Sequence, residues 1–235
     1  LASLVEDADA GARLLAIEAV GLARQAAPRV LASLRVEAEA GQPLAHWALW
    51  MLQGRESDLW KMLDFGEFDI GLAILACRQA SPQVLSEKIA PWRRTANRRR
   101  TAIILAVALG APTNVGWIAE ELGDPEHAKI AGYAVRAITG ADVARLPSEA
   151  ELASGASRVQ DWAAANKHRF RSDARYIEGV EITDRGLDRL LRQGMQGVRI
   201  QAAFEAAASR PGVPVLNTRA PSDAQLGDLT GWRSR

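Results

Sequence analysis

The 235 residues are 48% hydrophobic, enough to bury a core as one or two domains without metals or disulfides. The 29 Lys plus Arg against 28 Asp plus Glu leave a formal net charge of +1, so no global field draws the chain to polyanions or acidic membranes. A single cysteine, Cys77, excludes an internal disulfide and a multi-cysteine zinc site. No apolar run approaches the length of a membrane span. Leu1 is followed by Asp7 and Asp9, with no signal peptide visible, so a cytoplasmic protein is expected.

In chain order, the first helix is expected to start at Asp9, carry Ala16 and Ala19, and close at Gly21. Pro28 opens the next, with Val30, Leu31 and Leu34. A helix through Ala45, Trp47 and Ala48 follows, and Ser57-Asp58 opens a shorter one with Leu59, Met62 and Leu63. Ala73 and Ala76 mark another, after which Ser81-Pro82 opens the segment from Leu85 to Trp92. The stretch from Asn97 to Gly110 is helical. Thr113-Asn114 then opens a helix with Val115, Ile118, Ala119 and Leu122, apolar at i, i+3, i+4 and i+7. Asp124-Pro125-Glu126 combines a cap, a proline at the first helical position and an acid suited to the dipole, and leads into Ala131 and Ala134.

Those elements repeat. Aligned on an alanine preceded by Leu, Ile or Thr, the anchors are Ala16, Ala45, Ala73, Ala102 and Ala131, spaced by 29, 28, 29 and 29 residues. Four anchors carry a second alanine three residues on, and small residues one turn apart let helices approach closely. A two-helix unit of about thirty residues is shorter than typical tetratricopeptide or HEAT units. The stretches Asp9 to Gly21, Asn97 to Gly110 and Asp124 to Gly140 resemble the short HEAT-like repeats of phycobilisome lyases. The resemblance implies an all-α fold, a HEAT-like α-solenoid of stacked antiparallel helix pairs over residues 1–140. It does not specify a function, since such repeats serve plain scaffolds as well as bilin lyases.

After Gly140 the period breaks. Residues 141–182, with Pro147, Ser148, Ser154, Gly155 and Ser157, are expected to form an irregular insertion containing one helix with Trp162. A terminal helical hairpin is expected over 183–212, with Thr183 as cap, Leu187, Leu190 and Leu191, a break at Gly194, and then Val198, Ala202, Glu205 and Ala206. Residues 213–235 hold little periodicity and read as an extended tail. Within this half, Ile138 to Asp142, Asp161-Trp162, Arg169-Phe170, Arg175 to Gly179, Leu187 to Arg199 and Pro211 to Pro214 resemble an uncharacterised proteobacterial HEAT-like family. So does the run Thr218 to Pro221. Members of that family are often associated with type VI secretion gene clusters and are longer at the N-terminus. The resemblance implies a secretion context and further residues upstream of Leu1, and it carries no catalytic residues across.

Chemistry is sparse. His46, His127 and His168 lie far apart, and none has a second His or a Cys at metal spacing, so no metal ion or cofactor is expected. Gly-rich phosphate loops, a Walker lysine and a Gly-x-Ser-x-Gly elbow are all missing. Cys77, on an Ala-rich helical face, reads as a small buried hydrophobe rather than a nucleophile. The chain is therefore expected not to be an enzyme.

The tryptophans fall into two groups under the repeat. Trp60 and Trp117, 57 residues apart, are expected at one repeat position, and Trp47 corresponds to Leu75, Ile104 and Tyr133; both sets read as packing. Trp92 corresponds to Asp64 and Glu121, charged positions expected to face water. It adjoins Arg93 and Arg94, with Arg98, Arg99 and Arg100 just beyond, and arginines near a helix N-terminus oppose the dipole. Two readings stay open for this cluster: pairing with Glu120, Glu121 or Asp124, or a binding patch for a protein with an acidic surface, because Trp and Arg are the residues enriched at interface hot spots. Nucleic acid is the competing partner, but without these five arginines the net charge falls from +1 to −4, and a solenoid that tracks a duplex needs basic residues in several repeats. The sequence reading is a noncatalytic protein-binding scaffold, an effector adaptor or toxin-neutralising immunity-type protein, with Trp92, Arg93, Arg94, Arg98, Arg99 and Arg100 as its surface. A bilin-lyase-like enzyme is the alternative of a different class.

Overall fold

The computed structural model describes residues 2–7, 9–66, 68–142, 152–209 and 215–218. Expectations for Pro147, Ser148, Pro211 to Pro214 and most of the tail lie outside the described residues. Those described are all-α apart from one small hairpin. They divide into two compact units, residues 1–80 with 203–235, and residues 81–202.

The first unit contains α1 (Ala2–Val5), α2 (Ala10–Ala23), α3 (Pro28–Glu39), α4 (Pro43–Gln53), α5 (Glu56–Asp64) and α6 (Ile70–Arg78). Local chemistry sets the boundaries. Asp9 and Asp69 accept the N–H of Ala12 and Leu72, Pro28 and Pro43 occupy first-turn positions, and Gly54 ends α4 in the left-handed region. Helix α4 packs against α2, α3, α5 and α6. The alanine anchors carry this packing: Ala16, Ala45 and Ala73 are all buried. Trp47 is fully buried against Gly21, where any side chain would overlap the indole. Its Nε1 donates to the Leu72 carbonyl at 3.0 Å, and Trp50 Nε1 donates to Ala76 one turn later at 2.8 Å. The two indoles of α4 thus satisfy their polar atoms on the α6 backbone while filling the core.

The second unit contains α7 (Pro82–Trp92), α8 (Arg99–Leu109), α9 (Val115–Glu120), α10 (Ala128–Thr139), α11 (Leu152–Asn166), β1 (Tyr176–Ile177), β2 (Val180–Glu181) and α12 (Asp184–Gln193). Helix α13 (Gln196–Ala208) begins in this unit and ends among residues of the first. Helix α8 packs against α7 and α10, and α9 against α10 and α11, with Ala102 and Ala131 buried at the contacts. Two starts differ from the sequence expectation. Asn114 does not cap α9 but accepts the Trp117 indole N–H at 3.0 Å, after a 3-10 turn over Pro112–Asn114. Helix α10 starts at Ala128 instead of Pro125, because the Asp124 carboxylate takes the Glu126 N–H and its carbonyl takes those of His127 and Ala128. Ser154, Gly155 and Ser157, expected in a loop, lie within α11, which packs on α9 with Val159 buried. Packing has overridden weak local preferences there.

The hairpin was not anticipated. β1 and β2 pair antiparallel in the register Tyr176 to Glu181 and Ile177 to Val180. It caps two helices. Tyr176 N–H donates to the Gly110 carbonyl, Glu178 and Gly179 N–H to Ala137 and Ile138, and the Arg175 guanidinium to Leu109 and Ala108. The last carbonyls of a helix have no partner within it, and here one strand pair supplies partners for α8 and α10 together. Gly110 and Gly140, both at positive φ, leave no space for a Cβ beneath the Tyr176 and Glu178 carbonyls.

Candidate functional site

The connection from α7 to α8 carries the arginine cluster. Helix α7 ends at Trp92, just after Pro91, and the Thr95 hydroxyl donates to the Pro91 carbonyl at 3.2 Å. A 3-10 turn over Ala96–Arg98 leads into α8 at Arg99. Trp92 is half-buried, and the Arg98 guanidinium lies 5.2 Å from its ring centroid, a cation-π arrangement. Arg94 and Arg100 are exposed and Arg93 is half-buried. Among the described residues, none forms an ion pair with these three.

Arg99 behaves differently. Its Nε lies 3.6 Å from Glu121 Oε1 and its Nη1 3.9 Å from Asp124 Oδ2. His127, buried, turns Nδ1 toward Asp124 Oδ2 at 3.0 Å and Glu121 Oε2 at 3.3 Å. The Glu126 N–H holds the Asp124 carboxyl below its ordinary range, and His127 and Arg99 add to that effect. Arg99 is therefore directed toward Glu121 and Asp124, in ion pairs longer than hydrogen bonds, and its Nε makes no hydrogen bond. Glu121 does not face water as expected of a Trp92 equivalent; its side chain is 14% exposed.

Glu121, Asp124 and His127 also bring three donor atoms within 4.8 Å of one another. Looking for His and Cys partners missed this set, because carboxylates three and six residues before the histidine complete it. The donor types suit a divalent cation, but the Arg99 guanidinium already stands beside both carboxylates and supplies the balancing positive charge.

Other titratable groups are absorbed by the core. His46 Nδ1 lies 2.9 Å from Asp58 Oδ1, both buried, so Asp58 is a buried partner of α4 rather than a helix opener. Arg78 and Glu205 form a fully enclosed ion pair at 3.1 Å, which the sequence signalled only as an acid on an apolar helix face. Burial pushes the Cys77 thiol far above its ordinary range, which makes it unreactive. His168 is exposed.

The tryptophan register needs one correction. Leu59, Met62 and Leu63 of α5 and Val115, Ile118 and Ala119 of α9 are the buried apolar positions of the two helices, an offset of 56 residues rather than 57. That offset places Trp60 opposite Gly116, and Trp117 opposite Lys61. Both tryptophans are half-buried, and Tyr133, aligned with Trp47, is 41% exposed. Among the described residues no helix is long and apolar enough to cross a membrane. Comparison with protein-family models, with curated proteins and with solved structures finds no match to this chain.

Proposed function

We propose that the chain is a noncatalytic protein-binding scaffold whose helix pairs stack as a HEAT-like solenoid, and that the α7–α8 connection binds an acidic protein surface. Packing of every second helix supports the stacking: α4 lies against both α2 and α6, and α8 against α10. The binding assignment is carried by Arg93, Arg94 and Arg100, which have no ion-pair partner among the described residues and flank the Trp92–Arg98 stack. Tryptophan and arginine are the side chains that concentrate binding energy at interfaces, and unpaired charges at a rim steer an oppositely charged partner. Arg99, a third exposed, is shared between this surface and the Glu121 and Asp124 carboxylates. Resemblance to the type VI secretion-associated family supports an accessory role there, as effector adaptor or immunity-type protein. An immunity protein rescues growth when the cognate toxin is expressed; an adaptor is needed for export.

The test starts with co-purification from the native host and identification of the partner by mass spectrometry. The recovered partner is then titrated with Trp92→Ala and with an Arg94→Glu/Arg100→Glu double variant. Both should bind at least about tenfold more weakly, with a loss that shrinks as salt rises for the charge variant. Unchanged affinity in both would remove this surface from the function.

A further inference from the structure

The second unit holds a cavity of about 400 Å³, within the size range of small-molecule sites. Pro112, Val115, Trp162 and Phe170 form apolar walls, and Lys167 lies on the lining. The aromatic wall is braced. Phe170 meets Trp162 at 6.1 Å between centroids and Tyr176 edge-on at 5.2 Å, and the Tyr176 hydroxyl accepts the Arg171 N–H.

Gly116 is the informative residue. It lies in α9 and lines the cavity, and a Cβ built there would meet nothing within 4 Å. Neither a positive φ nor a close neighbour requires glycine at this position. Gly116 is exposed and is the second residue of the short α9, so a side chain added there would stand on the exposed side of the cavity. The aligned position in α5 is Trp60, where the first unit places an indole. A leucine at this position can reach across the lining, which makes it a probe of the cavity.

Lys167 gives the cavity its polarity. It is exposed, and no carboxylate among the described residues pairs with it. Its position just after α11 also suits the helix dipole, but that role leaves its ammonium group available. The Thr139 hydroxyl, the buried polar group on the lining, is already engaged with the Val135 carbonyl and the Ala141 N–H. An apolar pocket open to solvent, with one available cation on its lining, fits a molecule with an apolar body and a single anionic head.

We infer that this cavity binds a small apolar carboxylate, its hydrocarbon part against Trp162, Phe170, Pro112 and Val115 and its carboxylate on the Lys167 ammonium. The inference is independent of the arginine surface. Calorimetric titration of the full chain with decanoate and with decan-1-ol tests it. Decanoate should bind at one site, and Lys167→Met should weaken it about tenfold or more while leaving decanol little changed. Gly116→Leu should abolish binding of both without lowering the melting temperature. The exposed Lys167 position keeps the test readable should the leucine variant fold poorly. No heat with decanoate, decanoate binding indifferent to Gly116→Leu in a folded variant, or decanoate binding indifferent to Lys167→Met would each overturn the assignment.

Discussion

Adjacent arginines can have opposite roles, and the difference lies in what each one reaches. Arg99 extends toward Glu121 and Asp124, whereas Arg100, the next residue of the same helix, is exposed. Arg99→Ala should lower stability by about 1–2 kcal/mol, because it leaves the mostly buried Glu121 carboxylate uncompensated; Arg100→Ala should fall within about 0.5 kcal/mol of the parent. Urea denaturation of the two variants measures the contrast. Asp124 adds a pH dependence whose sign is fixed. Its folded carboxyl titrates below the unfolded one, so its contribution is complete above the ordinary Asp value of about 3.9 and disappears as pH falls through the lower, folded value. The stability gap between the parent and Asp124→Asn should therefore be present at neutral pH and close in acid. The sequence showed that five arginines needed an explanation and named the right acids for one of them. It could not say which arginine those acids would take, since that depends on the direction each side chain leaves the helix start.

Helix boundaries were legible where a side-chain cap or a left-handed glycine decides them, and not at the starts of α5, α9 and α10. Asp9, Ser81 and Thr183 cap α2, α7 and α12 through side-chain oxygens, and Gly54, Gly110 and Gly140 end α4, α8 and α10. The hairpin was not legible, because it recognises α8 and α10 mainly through backbone groups, which every residue carries. Val180 and Glu181 offered only a two-residue strand, too short for an alternation to register. What the sequence did hold was its counterpart in the glycines. Gly110 is needed both for its positive φ and for the approach of Tyr176, so Gly110→Ala should destabilise by more than about 1 kcal/mol, beyond the ordinary cost of a left-handed alanine. Gly54, at a similar φ with nothing within 4 Å of a Cβ, serves as control in the same thermal melts.

Across the molecule, the alanine period marks packing positions: all five anchors are buried, in both units. The period placed alanines well because each must admit a neighbouring helix. It placed the large side chains less well, and a one-residue error of register was enough to pair Trp60 with Trp117 instead of Gly116. The cavity came from a departure from the repeat, the indole of Trp60 that Gly116 lacks, whereas the Trp92 surface stands on its own geometry, since Asp64 and Glu121 do not share one position under the corrected offset. The hairpin over α8 and α10 has a further consequence, and it concerns time. Arg175 bonds to carbonyls 66 and 67 residues earlier in the chain, whereas α8, α9 and α10 are close neighbours in sequence. Local contacts close short loops and form early; a contact across some sixty residues bears a larger closure entropy and forms late. Arg175→Ala should therefore raise the unfolding rate and leave the refolding rate nearly unchanged in stopped-flow chevrons. The strand pair then acts as the closing step of the second unit's folding, and its removal would shorten the native lifetime without slowing arrival at the fold.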